Sequence, residues 1–167
     1  MLTQELARLP LFKGFQVRHL EQLAPLFHRV HFRAGTKVFN EGDRASELYL
    51  VEAGEVAIRL RPHDGGVLEL STAQPGSIFG WSAALNRLRY TSSAVCLTDV
   101  QALAIGGDDL REAMRADPEL QALLFERLAQ TVASRFESIR TQLVKLFHQR
   151  FNEGIRPMSE ELGNGKT

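Results

Sequence analysis

The 167-residue chain fits one domain, which commonly takes roughly 100–200 residues, and its 44% hydrophobic content suits a packed core. Its 20 Lys and Arg balance 20 Asp and Glu, and a formal charge of zero argues against the clustered basic face of a DNA-binding domain. Cys96 is the only cysteine, which excludes an intramolecular disulfide and suits a small core residue, and no apolar run approaches the roughly 18 residues of a membrane span.

From Leu2 to Phe27 the apolar spacing is helical, with Leu2, Leu6 and Leu9 followed by Val17, Leu20 and Leu23. Pro10 and Gly14 divide this stretch into two short helices, and Pro25 ends the second. Met1–Pro10 mixes charges with apolar residues and lacks a signal-peptide core, so the cytoplasm is the expected compartment. From about Val30 to Ile105 the pattern changes to short strands: Leu48–Val51, Val56–Leu60, Val67–Leu70, Thr91–Leu97 and Val100–Ile105. His63-Asp64-Gly65-Gly66 reads as a hairpin turn between two of them. Many short strands with glycine at the corners predict a sandwich, barrel or jelly roll.

Helical spacing returns with Asp109–Arg115, capped by Gly107 or Asp108. Asp117-Pro118 places a capping carboxylate before proline at the first helical position, and a long helix is predicted from there to about Phe147. From Asn152 the tail loses its period and is expected to fray. The predicted fold is α+β: an antiparallel β-roll (double-stranded jelly roll) at 30–106, N-terminal helices within 1–29, C-terminal helices within 107–150, and a flexible tail at 151–167.

The series Phe32-Arg33-Ala34-Gly35, Val38-Phe39-Asn40-Glu41-Gly42-Asp43 and Leu48-Tyr49-Leu50-Val51-Glu52-Ala53-Gly54 resembles the front half of a cyclic-nucleotide-binding domain. This is the sensor module of the catabolite activator protein and of the protein kinase A regulatory subunit. Pro75-Gly76-Ser77-Ile78-Phe79-Gly80 stands where that family begins its phosphate-binding cassette, and the resemblance covers about residues 5–147. The resemblance implies a short glycine-led helix that offers backbone N–H groups to a phosphate. It also implies a carboxylate for the ribose 2′-hydroxyl, an arginine for the phosphate charge, and a long final helix over the base.

The chain departs from that pattern at both anchors. The glutamate position falls on Trp81, whose indole donates a hydrogen bond and accepts none. The arginine slot falls on Tyr90 when counted back from the following strand, whereas Arg89, with Arg87 beside it, is the nearest guanidinium when counted forward from Gly80. On the long helix, Arg135 and Phe136 occupy the positions that face adenine in the catabolite activator. The candidate ligand residues are therefore Phe79, Gly80, Trp81, Ser82, Arg89, Tyr90, Thr91, Ser92 and Arg135. Phe136, Ile139, Leu143 and Leu146 carry the 3-4 spacing of a dimer seam.

Two function classes follow. One is a regulatory module that senses a small anion, nucleotides included, and signals through its last helix as a homodimer to a downstream protein. The other is a degenerate module, self-filled at the pocket, that serves dimerisation or partner docking. An open pocket with Arg89 turned inward favours the first, and Trp81 filling the hole favours the second. His28, His31 and His63 lack the spacing of a cupin metal site. No metal, cofactor, DNA or membrane partner is expected, nor is catalysis.

Overall fold

The computed structural model describes residues 1–61 and 66–154. The predicted turn residues His63, Asp64 and Gly65, and the tail beyond Gly154, lie outside the described residues. The chain opens with α1 (Leu2–Arg8), a 3-10 turn at Pro10–Phe12, and α2 (Val17–Leu23). Eight strands follow among the described residues: β1 (Phe27–Phe32), β2 (Lys37–Phe39), β3 (Glu47–Ala53), β4 (Val56–Leu60), β5 (Leu68–Ala73), β6 (Ile78–Phe79), β7 (Ser93–Cys96) and β8 (Val100–Gly106). Two helices close the fold, α3 (Gly107–Ala116) and α4 (Pro118–Gly154).

The strands form two four-stranded antiparallel sheets, ordered β1-β8-β3-β6 and β2-β7-β4-β5. Alternation along β3 and β8 divides the core in two. Leu48, Leu50, Leu103 and Ile105 face outward to a helical layer that includes Leu6, Phe12, Leu23, Leu110, Leu120 and Leu124. Tyr49, Val51, Ala102 and Ala104 face inward and pack with Phe39, Val56, Ile58 and Phe79. Cys96 belongs to this inner core, and burial raises the pKa of its thiol.

Several boundaries differ from the sequence expectation. β1 starts at Phe27 rather than Val30, because Phe27 pairs with Ile105 and its ring meets Phe12 edge-on. Gly106 stands at the cap position of α3, one residue ahead of the two candidates. β7 starts at Ser93 rather than Thr91. β6 has only two residues, too short to show a period. α4 runs past Phe147 and Asn152 to Gly154, since no glycine or proline interrupts it earlier. Its 37 residues span about 55 Å.

Asp117 starts α4 as the sequence indicates. Its Oδ1 accepts the N–H groups of Glu119 and Leu120 at 3.1 and 3.2 Å, and its Oδ2 pairs with Arg18 at 3.0 Å. These contacts, the Leu120 N–H first, hold the carboxyl below its ordinary value of 3.8. A carboxyl with a lowered pKa stabilises the fold above the ordinary value and loses that contribution as pH falls through the lowered one. Asp117→Ala is therefore expected to lower Tm at pH 7 by about 2–4 °C. The gap should close as the buffer is taken from about pH 3.8 downward. A thermal melt showing the same gap at neutral and strongly acid pH would refute this.

Candidate functional site

β6 leads into Gly80, whose φ of 75° places it in the left-handed region. A Cβ there would stand 2.9 Å from the Glu47 carbonyl and 3.2 Å from the Tyr49 ring, so only glycine fits. A 3-10 turn, Trp81–Ala83, follows, and Ser82 and Ala83 are buried in it. The turn leaves the half-buried indole of Trp81 facing α4. Arg135 lies over that indole, its guanidinium carbon 4.1 Å from the ring centroid, and donates a hydrogen bond to the Ile78 carbonyl. Burial lowers the Arg135 pKa to about 10, because its contacts are a π face and a carbonyl rather than a carboxylate.

Beneath this pair the roll is packed with aromatic rings. Tyr90 is 4% exposed and stacks on Phe39 with centroids 3.6 Å apart and planes at 11°. Its hydroxyl donates to the Glu47 carbonyl at 2.6 Å and accepts the Glu47 N–H at 3.0 Å. Tyr49 and Phe79 stack beside them at 4.8 Å, and the Tyr49 hydroxyl donates to the Glu47 carboxylate at 2.9 Å. Burial raises the pKa of both tyrosines, so their hydroxyls stay protonated at neutral pH.

Seven of the nine sequence candidates line one void: Gly80, Trp81, Ser82, Tyr90, Thr91, Ser92 and Arg135. Phe39 and Ile58 complete it. These two were missed because they face it from strands far away in sequence, and their inward phase in alternating strands was the one available signal. Phe79 lies in the ring stack below. Arg89 lies outside the void. Backbone bonds from Tyr90 N–H to Asp43 and from Gly42 N–H to Tyr90 turn the tyrosine inward. Its neighbour Arg89 then faces solvent and donates to the Gly42 carbonyl at 2.6 Å. The void holds about 20 Å³, against roughly 300–1,000 Å³ for a ligand pocket.

Of the seam candidates, Phe136, Leu143 and Leu146 are exposed at 67, 43 and 44%, while Ile139 is half-buried. Phe147 and Phe151 extend the exposed stripe. One further cluster joins His19, Asp117 and Glu119. There Gln16 N–H donates to His19 Nδ1, which leaves Nε2 as an N–H donor pointing at the carboxylates. Arg18 already pairs with both acids. The cluster is a tie between α2 and α4 and is poorly suited to ligating a metal.

The family model described as the cyclic nucleotide-binding domain matches residues 29–117. A CRP-like cAMP-activated global transcriptional regulator of Mycobacterium tuberculosis is 30% identical over 145 residues, covering 87% of this chain and 63% of that protein. The cyclic AMP receptor protein of Thermus thermophilus is 29% identical, covering 89% of this chain and 73% of its own length. A solved cyclic nucleotide-binding protein of Geobacter metallireducens superposes with a TM-score of 0.72 at 26% identity, covering 81% of this chain and 98% of its own.

Trp81 is the single tryptophan, so its emission reports the Arg135 contact directly. Arg135→Ala is expected to shift that emission to longer wavelength, raise acrylamide quenching, and cost about 0.5–2 kcal/mol. An unchanged spectrum would mean that the guanidinium does not cover the indole.

Proposed function

The chain belongs to the cyclic nucleotide-binding domain family, and we propose that it is a regulatory module of that family, closed at its cassette by its own side chains, that signals through α4. The observation that carries this is the Phe39–Tyr90 stack, where one of the two countings puts the arginine, with only about 20 Å³ left above it. A phosphate brought there finds a buried ring, and an unpaired buried charge is strongly disfavoured. A ribose meets Trp81, which cannot accept its hydroxyl proton. To admit a nucleotide, Arg135 must leave the indole and Tyr90 must leave Phe39.

A second reading is favoured by Arg135 itself. It is a desolvated cation with no carboxylate contact among the described residues, and a small anion that pairs with it would release Trp81 and loosen α4. In either case the output runs through the exposed stripe of Phe136, Leu143 and Leu146, which suits a second copy of the chain or a downstream protein. We place the homodimer in the cytoplasm, where a lone buried thiol such as Cys96 stays reduced. No helix among the described residues is long and apolar enough to cross a membrane.

Cyclic AMP is expected to bind weakly or not at all. Losing one charge-assisted hydrogen bond weakens affinity about ten- to a hundredfold, and submicromolar binding by calorimetry would overturn the closed cassette. Sedimentation at micromolar concentration is expected to give twice the chain mass, and Phe136→Glu with Leu143→Glu should return it to one. A wild type that stays monomeric would remove the dimer.

A further inference from the structure

A groove of about 630 Å³ runs between α4, the β5–β6 turn and the N-terminal 3-10 turn. It lies within the roughly 300–1,000 Å³ range of small-molecule sites. We propose that this groove, rather than the closed cassette, binds a small phosphorylated metabolite.

Three cations line it: Lys13, Arg127 and Arg135. Among the described residues none of its lining is acidic. Arg127 is held by oxygens that carry no full charge, the Lys13 carbonyl and the Gln130 amide at 3.2 Å, so its charge is oriented but not neutralised. Arg135 is held in the same way by the Ile78 carbonyl. Ser134 and Ser138 line the helix side, and Ser71 lines the strand side. The Ser71 Oγ is buried without a hydrogen-bond partner among the described residues, which is costly for a hydroxyl. Fixed guanidiniums, a flexible ammonium and the exposed hydroxyls of Ser134 and Ser138 together make a phosphate-recognising set.

The groove residues Arg127, Thr131, Ser134 and Ser138 recur along one side of α4, as a spacing of 3.6 residues per turn requires. Phe136, Leu143 and Phe147 lie on the other side. A dimer centred on these three residues, with Leu146 at its flank, therefore leaves the groove open. Arg135 borders both the groove and the Trp81 void, so a phosphate in the groove competes with the indole for one guanidinium.

The test titrates the full chain with inorganic phosphate, AMP and ribose 5-phosphate at constant ionic strength, by calorimetry and Trp81 emission. Saturable binding of at least one is expected, with the emission moving to longer wavelength. The pattern across the three identifies a bare phosphate, a nucleotide or a sugar phosphate. Lys13→Glu, at an exposed side chain, and Arg127→Gln should each weaken binding about tenfold or more. Trp81→Ala should leave affinity unchanged or raise it. No saturable binding by any of the three overturns the groove site. Binding that ignores Lys13→Glu and is lost in Trp81→Ala places the ligand in the cassette, and this overturns both the groove and the closed cassette. Loss of folding in Arg127→Gln leaves the decision to Lys13→Glu, with circular dichroism as the control.

Discussion

β8 is buried on both faces along Ala102–Ile105, and its inward face is Val100 followed by two alanines. Ala102 pairs with Val51 and Ala104 with Tyr49, and both alanines are fully buried. Protein interiors are packed as densely as organic crystals, so space left by small residues must be filled from elsewhere. Here Tyr49, Phe79, Phe39 and Tyr90 fill it as a set of stacked rings. Those rings fix the position of Glu47, whose backbone satisfies the Tyr90 hydroxyl in both directions. The Glu47 carbonyl in turn bars any side chain at Gly80. The cassette is closed from beneath by core packing, so no single loop movement empties it.

From above, closure depends on α4. Leu120, Leu124 and Leu128 are buried against the helical layer, which anchors the first half of the helix. Asp117 caps it and ties it through Arg18 to α2. Beyond Leu128 no residue of α4 is fully buried among the described residues: Val132 and Ile139 are half-buried, and the polar contacts include Arg135 on Trp81 and Ile78, and Gln142 donating to the Leu70 carbonyl at 3.5 Å. A cation–π contact contributes about 0.5–2 kcal/mol, small beside roughly 1.5–3 kcal/mol for each buried leucine. The helix is thus anchored firmly at its start and lightly at its far half.

Local chemistry was legible in the sequence and long-range pairing was not. Asp117-Pro118 announced its helix because cap and proline act within one turn. β4 was bounded correctly at Val56–Leu60 by the turn before it and the change of pattern after it. The competition between Arg89 and Tyr90 for one slot depended on bonds from that loop to Gly42 and Asp43, more than 40 positions earlier, so spacing alone left both open. Phe39 under Tyr90 was missed for the same reason, since strand phase gives its inward side but not its partner. The Trp81–Arg135 contact joins residues 54 positions apart, and the resemblance gave each a place without showing that they meet.

A net charge of zero also concealed the arrangement of charge. Carboxylates pair with Arg18, Arg29, Arg59, Arg111 and Arg140 over the surface, while Arg127 and Arg135 are held by neutral oxygens on one side of α4. A guanidinium cannot shed its proton at neutral pH, so a half-buried one retains its attraction for an anion. Arg135 divides that attraction between the indole face and the groove. An anion needs only to outcompete a π face and a single carbonyl, whereas a nucleotide in the cassette must also dismantle a stacked core. The difference in what must be broken makes the groove side of α4, and not the inside of the roll, the place where a small ligand can change how the helix sits.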